Sequence, residues 1–362
     1  MRVSTVYVVR GSSRNSRARM RGLSLVELMI ATTISLVILA AVGWVYQGTA
    51  QTYRSHDALA RMQEGARYAF ELMSKDLRMA GVTGCPYVTS KNVLASPADW
   101  YKNLFKQPIA ATDKNGTSGD FAEFSDTLSV VRADVSREYI VNTHDNAAGS
   151  FTLVNKPDFS GGQLMVATDC NNVSVFQANG VSADTKTVSY SVTGLNANAD
   201  LGTTYAKANG ARLYRMSAVM YHVVPNGAGV PSLFRATPTG AGGALIEEEL
   251  VEGVEDLQVT FTVDSSATQD GEADYYTKET ADTPYVTAGY LNTTASDSAT
   301  LGGTTELRWG RVTSVRMSLL MRTVEDRMVP TKQKYTYNGT ASTATDLRIR
   351  KVFTHVIKLR NR

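Results

Sequence analysis

The first pattern along the chain is a nearly uninterrupted apolar run over residues 23–46, in which Glu27 is the one charged side chain. At 1.5 Å of rise per residue such a run forms a helix of about 36 Å, which is long enough to cross the apolar core of a bilayer. Six arginines and no acidic residue precede the run. Because basic flanks stay on the cytoplasmic side, the pattern predicts one membrane-spanning helix with the rest of the chain outside the cytoplasm.

Beyond this run, apolar residues recur at steps of three and four, which predicts an amphipathic continuation of the same helix over residues 47–80. Its predicted apolar face consists of Leu59, Met62, Ala66, Ala69, Met73, Leu77 and Ala80. Glycine and proline at positions 81–86 supply stop signals. We expect residues 23–46 to lie in a membrane or a filament core and residues 47–80 to pack on a head. Three glycines are expected to loosen the helix locally: Gly43, Gly48 and Gly65.

From residue 81 onward the pattern becomes short alternating segments separated by Gly, Asn, Asp, Ser and Pro, which predicts β-strands. The predicted strands cover residues 127–135, 139–141, 163–167, 173–177, 187–192, 212–224, 232–236, 257–263, 312–322 and 350–359. Asn226-Gly227 predicts a hairpin turn between the sixth and seventh of them. Residues 244–254 fit either a short helix or a strand.

These elements together predict an α+β fold, in which one long N-terminal helix packs on an antiparallel β-sheet head formed by residues 81–362. Two stretches, residues 264–308 and 99–118, are rich in small polar residues and poor in aliphatic ones. We expect both to be long loop insertions on the surface of the head.

The basic character of the chain comes from its first 22 residues. The formal net charge is +3, but six of the 37 basic residues lie in this segment, which contains no acid. Without them, 31 basic residues remain against 34 acidic ones, a net charge of about −3. We therefore expect no nucleic-acid partner for the body of the protein.

The chain has two cysteines, Cys85 and Cys170. In an oxidising compartment a lone pair of this kind forms one disulfide, which here closes a loop of about 85 residues and contributes about 2–4 kcal/mol of stability. Two buried free thiols are the alternative. A metal site is disfavoured because no histidine lies near either cysteine in the sequence.

No group of residues in the sequence indicates catalysis, a metal or a cofactor. The histidines are scattered along the chain: His56, His144, His222 and His355. Nucleotide-binding loops and nucleophile elbows are missing from the sequence. Four acidic residues flank Gly271 without the ligand spacing of an EF-hand: Asp264, Asp270, Glu272 and Asp274. We interpret them as a solvated loop and expect a protein that is not an enzyme.

Glu27 distinguishes two interpretations of the N-terminal run. A carboxylate in hydrocarbon costs on the order of 3 kcal/mol or more, so Glu27 requires either a proton or a nearby cation. An ordinary secretory signal would be cut after the run, near Ala41 or Gly43, and has no use for this glutamate.

Residues 21–29, RGLSLVELM, resemble the class III signal of type IV prepilins, which combines a basic leader, a glycine before the cut and a glutamate at the fifth mature position. The resemblance implies that prepilin peptidase removes residues 1–22 between Gly22 and Leu23 and then N-methylates Leu23. The family most often has Phe where this chain has Leu23. Glu27 would then neutralise the new amine of a neighbouring subunit and fix the stagger between subunits. Met20 offers an alternative start that leaves this cut unchanged.

Three later stretches are similar to minor pilins of the PilW kind and, less closely, to J-type pseudopilins of type II secretion: GARYAFELMSKDLRMAGVTGC, LIEEELVEGVEDLQVTF and FTHVIKLRNR. The PilW resemblance implies a pilin-like fold and a structural protein that primes type IV pilus assembly at the pilus tip. It implies an inner-membrane precursor with a periplasmic head, and as partners other minor pilins, the major pilin, prepilin peptidase and a tip adhesin. A J-type pseudopilin and a signal-anchored extracytoplasmic binding protein are the alternatives.

Overall fold

The long helix α1 runs from Leu25 to Arg78, as the continuous apolar and amphipathic patterns predicted. The structure, a computed structural model, describes residues 24–95, 100–112, 125–239, 244–264, 286–287 and 311–359. By their contacts these residues form two compact units, one that ends at Arg54 and one that begins at Ser55. Glu27 in the first turn of α1 and Lys75 and Arg78 in its last turn carry the charges that the helix dipole favours at each end.

Strands make up most of the described part of the chain after α1. In chain order they are β1 (Thr89–Asn92), β2 (Ile109–Thr112), β3 (Thr127–Asp145), β4 (Ser150–Leu153), β5 (Leu164–Thr168), β6 (Asn172–Gln177), β7 (Gly180–Ser182), β8 (Thr187–Ser189), β9 (Arg212–Pro225), β10 (Pro231–Pro238), β11 (Leu245–Glu252), β12 (Val254–Val263), β13 (Val286–Thr287), β14 (Val312–Arg322), β15 (Lys334–Tyr337), β16 (Thr340–Thr343) and β17 (Arg350–Lys358). Short 3₁₀ turns cover Trp100–Lys102 and Lys207–Asn209.

Eleven of these strands form one large sheet, which is antiparallel except where β1 pairs with β6. Its main path runs β1-β6-β5-β9-β3-β4-β8-β7, while β2 joins β3 and the β10-β11 pair joins β9. A second sheet has the order β13-β12-β14-β17, and β15 pairs with β16 as a separate hairpin. The fold is therefore α+β with a mostly antiparallel head, as the sequence predicted.

The apolar face of α1 from Leu59 onward packs into the main core of the head. Its buried positions match the predicted face: Met62, Ala66, Ala69, Met73 and Leu77. Strand residues from both sheets complete this core, among them Tyr221 of β9, Phe261 of β12 and Met317 of β14. Because fully burying one Leu or Met side chain contributes about 1.5–3 kcal/mol, this face is enough to hold the second half of α1 on the sheets.

Residues 100–112 contradict the prediction of a surface insertion over residues 99–118. Tyr101, Leu104, Ile109 and Ala111 are buried, and β2 pairs with β3. These apolar residues are interspersed with polar ones and show no periodicity, so only their strand neighbours reveal their burial. Residues 113–124 lie outside the described part of the chain.

Three other predictions are refined by the structure. Residues 245–252 are the strand β11 and not a helix. The predicted strands 127–135 and 139–141 are one strand, β3, whose register with β9 shifts between Asp134 and Tyr139. The hairpin of β9 and β10 is present, and its turn places Gly229 at φ +74° while the Asn226 side chain accepts the N–H groups of residues 228 and 230. The insertion predicted over residues 264–308 lies outside the described residues, except for Asp264 and β13.

Candidate assembly site

The N-terminus of α1 is closed by a reciprocal pair of hydrogen bonds between Ser24 and Glu27. The Ser24 N–H donates to Glu27 Oε2 at 2.9 Å, and the Glu27 N–H donates to Ser24 Oγ at 3.1 Å. This is a capping box, in which a serine before the helix and a glutamate three residues later satisfy two free N–H groups. The bond holds the Glu27 carboxylate at the positive end of the helix dipole. Its Oε1 atom makes no hydrogen bond within the described residues and is free to accept one from another molecule.

Side chains of the first half of α1 are apolar and exposed. Leu25, Leu36, Leu39 and Trp44 are each more than two-thirds exposed in the isolated chain. Its threonines do not break this apolar surface, since their hydroxyls donate to carbonyls one turn earlier within the helix. A helix with this surface and with its polar groups satisfied internally is compatible with a single-pass membrane anchor.

The predicted processing residues, Gly22 and Leu23, lie outside the described residues. The predicted cut between them and the methylation of Leu23 therefore remain predictions. Glu27 lies one helical turn after Leu23 in the sequence, and its position at the first turn of α1 is described.

A buried carboxylate, Asp76, connects α1 with the large sheet. Tyr221 of β9 donates a 2.7 Å hydrogen bond to Asp76 Oδ2, and the guanidinium groups of Arg132 and Arg235 lie 3.5 and 3.6 Å from its oxygens. Burial, together with the negative charge of Asp76, raises the pKa of Tyr221 well above its usual range. Both guanidiniums are partly buried, so they need this carboxylate as a counter-ion.

A second buried ion cluster connects strands of the second sheet. Arg350 of β17 binds Glu255 of β12 through two hydrogen bonds of 2.7 and 2.8 Å, and it binds Asp346 at 2.5 Å. Arg322 of β14 adds a 3.2 Å bond to Glu255. These bonds hold the pKa of Asp346 far below its usual range and raise that of Arg350. The cluster joins three strands that are distant in sequence, so it fixes their register.

Cys85 and Cys170 form a disulfide, as predicted, with their Cα atoms 5.2 Å apart. The bond ties the segment that follows α1 to the turn between β5 and β6. Gly84, next to Cys85, has φ +97°, and a methyl group added there would lie 2.4 Å from the Tyr214 ring. Only glycine fits this close approach, which lets Cys85 reach its partner.

Three of the histidines contact other side chains of the head, while His56 is exposed on α1. His144 is buried: its Nδ1 accepts the Tyr205 N–H at 3.1 Å and its Nε2 lies 2.7 Å from the Tyr190 hydroxyl. His222 lies 3.2 Å from Glu247, and the ring of His355 lies 5.4 Å from that of Phe70 at a tilt of 32°. Within the described residues no group of three His, Cys, Asp or Glu side chains could hold a metal ion. Of the acidic residues around Gly271, only Asp264 is described, and it is buried at the end of β12.

Two parts of this arrangement were missed in the sequence. The Ser24-x-x-Glu27 spacing is a capping-box signature that the sequence displays directly. Asp76 lies three residues after Met73 and four before Ala80, on the apolar face of α1, and this placement could have indicated a buried carboxylate with cationic partners. Its partners Tyr221 and Arg132 could not be identified without the fold.

Comparison with known proteins assigns the C-terminal region. Residues 220–361, which include β10 to β17, match the family model described as type IV pilus-assembly protein W, PilW. No curated protein and no solved structure matches the chain. The match supports a PilW-like type IV pilus protein and, with it, involvement of the chain in type IV pilus assembly.

Proposed function

We propose that this PilW-like chain is a minor pilin, made as a prepilin and cut between Gly22 and Leu23. The observation that carries the proposal is the first half of α1: its side chains are apolar and exposed, with Glu27 in the first turn. Such a surface requires a membrane before assembly and an apolar bundle of neighbouring helices after it. The PilW match over residues 220–361 supports a type IV pilus as the assembly that this helix joins.

In this proposal Glu27 has two simultaneous partners. The Ser24 N–H occupies Oε2 and keeps the side chain at the end of the helix. Oε1 accepts a hydrogen bond from the amine that cleavage creates at Leu23 of a neighbouring subunit. An isolated amine and an isolated carboxylate are both costly in an apolar bundle, so pairing them favours one stagger between neighbouring helices.

The place we propose for the protein is the priming complex at the pilus tip. There its head faces the periplasm before assembly and contacts other minor pilins, the major pilin below and an adhesin above. The shaft of a filament built from small subunits leaves little space around each head. A head with this many strands would not fit there, whereas the tip leaves one side of the head open. No catalytic step, metal or cofactor forms part of the proposal.

Mass spectrometry of the mature N-terminus tests the processing. The full chain, isolated from sheared pili, is expected to begin with N-methylated Leu23. A chain that retains Met1 or Met20, or that begins near Val42, would contradict it and favour an ordinary signal. Gly22→Val is expected to leave the leader attached, while the matched leader substitution Gly11→Val leaves cleavage unchanged.

Immunogold labelling tests the location. An epitope tag in a head loop, for example after Asp184, is expected to give label at pilus ends. Regular label along the shaft would contradict the tip assignment while leaving the pilin assignment intact. Deletion of the gene for this protein is also expected to remove the surface pili, and a wild-type copy of the gene is expected to restore them.

A further inference from the structure

Two edge strands of the head carry opposite charge. Within the described residues β11 pairs only with β10, and β17 pairs only with β14. The exposed charged residues of β11 are all acidic: Glu247, Glu248, Glu249 and Glu252. The exposed charged residues of β17 are the cations Lys351 and Lys358, and the His355 imidazole lies between them. The two strands have similar lengths, eight and nine residues.

The β17 edge has backbone groups available for another strand. The Leu359 N–H donates to the carbonyl of residue 313, and the Ile349 carbonyl accepts the N–H of residue 323. The backbone N–H and C=O groups of the odd-numbered residues of β17 therefore point toward β14. In an antiparallel ladder the intervening residues face the other way, which directs the N–H and C=O groups of Val352, Thr354 and Val356 toward the open edge. Among the described residues, Gln333 closes the beginning of this edge, because its side chain bonds both backbone groups of Arg350.

A groove of about 620 Å³ lies between this edge and α1. Its lining includes Phe70 and His355 and four charged residues, of which three are cationic and one is acidic: Arg67, Lys75, Arg78 and Glu71. Ser74 also lines it: this residue is 4% exposed, and its Oγ atom makes no hydrogen bond within the described residues. A buried hydroxyl without a partner is costly, so a molecule that occupies the groove and bonds the Ser74 hydroxyl would remove this cost.

From these observations we infer that β11 of one copy of this chain adds to the open β17 edge of a second copy. The charges favour this pairing, since acidic residues of β11 would face basic residues of β17 and of the groove. They disfavour β11 against β11 and β17 against β17, where like charges would meet. Exposed Ile246 and Val356 supply apolar contact on the two edges. The contact is therefore head-to-tail and joins copies in a directional series.

Carbodiimide crosslinking tests the contact directly, because this reagent joins a carboxylate to an amine only where they touch. The full chain in detergent, at about 100 µM, is used as an equal mixture of isotopically light and heavy protein, since a small interface of this kind binds in the micromolar range. Mixed light–heavy peptides that join Glu248 or Glu252 to Lys351 or Lys358 are the expected result. Absence of such mixed peptides overturns the inference.

Charge reversal provides a second test. Glu248→Lys with Glu252→Lys, and separately Lys351→Glu with Lys358→Glu, are each expected to weaken self-association in sedimentation by about tenfold or more. Mixing the two variants, or combining all four substitutions in one chain, is expected to restore it. Asp184→Lys with Lys156→Glu, exposed and outside both edges, is the matched control and leaves association unchanged.

Self-association that persists in every variant, or that the mixture fails to restore, overturns the inference. The tests do not depend on the proposed cleavage at Gly22. A negative result here therefore leaves the pilin assignment unaffected.

Discussion

The hydroxyl of Tyr221 donates a 2.7 Å hydrogen bond to the buried carboxylate of Asp76, which joins α1 to a central strand of the large sheet. Tyr221→Phe is expected to lower the free energy of unfolding by about 1–2 kcal/mol, because Asp76 loses one donor. Asp76→Asn is expected to cost about 3 kcal/mol or more, since Arg132 and Arg235 lose their shared counter-ion.

Denaturant unfolding of the full chain in detergent, followed by near-ultraviolet circular dichroism, measures both changes. Tyr68→Phe is the matched control, because Tyr68 lies on the same helix and is 49% exposed. Equal stability of the Asp76→Asn variant and the wild type would show that the cluster does not anchor α1.

Glu27 combines a charge with a helix cap, and substitutions separate the two. Glu27→Gln retains the capping box, since Gln also serves at this position, but loses the charge. Ser24→Ala retains the charge and loses the cap, at a cost of about 1 kcal/mol. We expect Glu27→Gln to reduce incorporation into pili strongly and Ser24→Ala to reduce it little.

Quantitative immunoblots of sheared pili, with total cell protein as the reference, measure this incorporation. Full incorporation of Glu27→Gln would show that the charge is dispensable. A larger loss for Ser24→Ala than for Glu27→Gln would assign the role of Glu27 to the helix cap alone.

Removal of the disulfide is expected to lower the stability of the head by about 2–4 kcal/mol, because the closed loop spans 85 residues and restricts the unfolded chain. Cys85→Ala, Cys170→Ala and the double variant should be similarly destabilised, and a reducing agent should change only the wild type. Thermal unfolding with and without the reducing agent measures this. Two free thiols in the purified native protein would contradict the pairing.

His144 is expected to make the stability of the head depend on pH. Burial lowers the pKa of His144 to about 4, against about 6.5 in the unfolded chain. Because the unfolded state binds the proton more readily, this contribution is fully present above pH 6.5 and is lost as the pH falls toward 4. The loss amounts to at most about 3 kcal/mol.

The neutral ring carries its proton on Nε2, since Nδ1 accepts the Tyr205 N–H. Unfolding free energies of the wild type and His144→Gln between pH 4 and pH 7.5 check the prediction. The wild type should lose more stability than the variant over the acidic part of this range. Parallel curves would show that His144 does not titrate with folding.

Two of the three glycines of α1, Gly48 and Gly65, are expected to respond differently to alanine. The helix continues through all of them, but a methyl group at Gly65 would lie 2.8 Å from a Val251 methyl of β11, whereas Gly48 has no neighbour within 4 Å. Gly48→Ala should therefore stabilise the helix by up to about 1 kcal/mol. Gly65→Ala should destabilise the head by about 1–2 kcal/mol, because Val251 has to move. Equal effects in thermal unfolding would contradict a packing role for Gly65.

Local patterns allowed the sequence to predict the elements that depend on them. The apolar periodicity of α1 identified its buried face, and β14 has the bounds that the sequence predicted. Residues 100–112 were assigned wrongly to the surface, because their burial depends on β3, which lies beyond them in the chain. β3 itself was divided in two, since exposed polar residues 136–138 interrupt its apolar pattern.

The candidate site was predictable to a similar degree. Glu27 was identified because a carboxylate in an apolar run is unusual, and the disulfide was identified because the chain has two cysteines. The bond from Asp76 to Tyr221 joins residues that are 145 positions apart, so no local pattern indicates it. The same holds for Glu255 and Arg350, which are 95 positions apart.

The strand β3 has a mechanical consequence for the head. It contributes Leu128 and Val130 to the core under α1, and Tyr139 and Val141 to the core at the other end of the large sheet. Tension applied to one of these cores reaches the other along a single continuous backbone. The β3–β9 ladder is interrupted between Asp134 and Tyr139, so at that point the covalent backbone of β3 links the two cores.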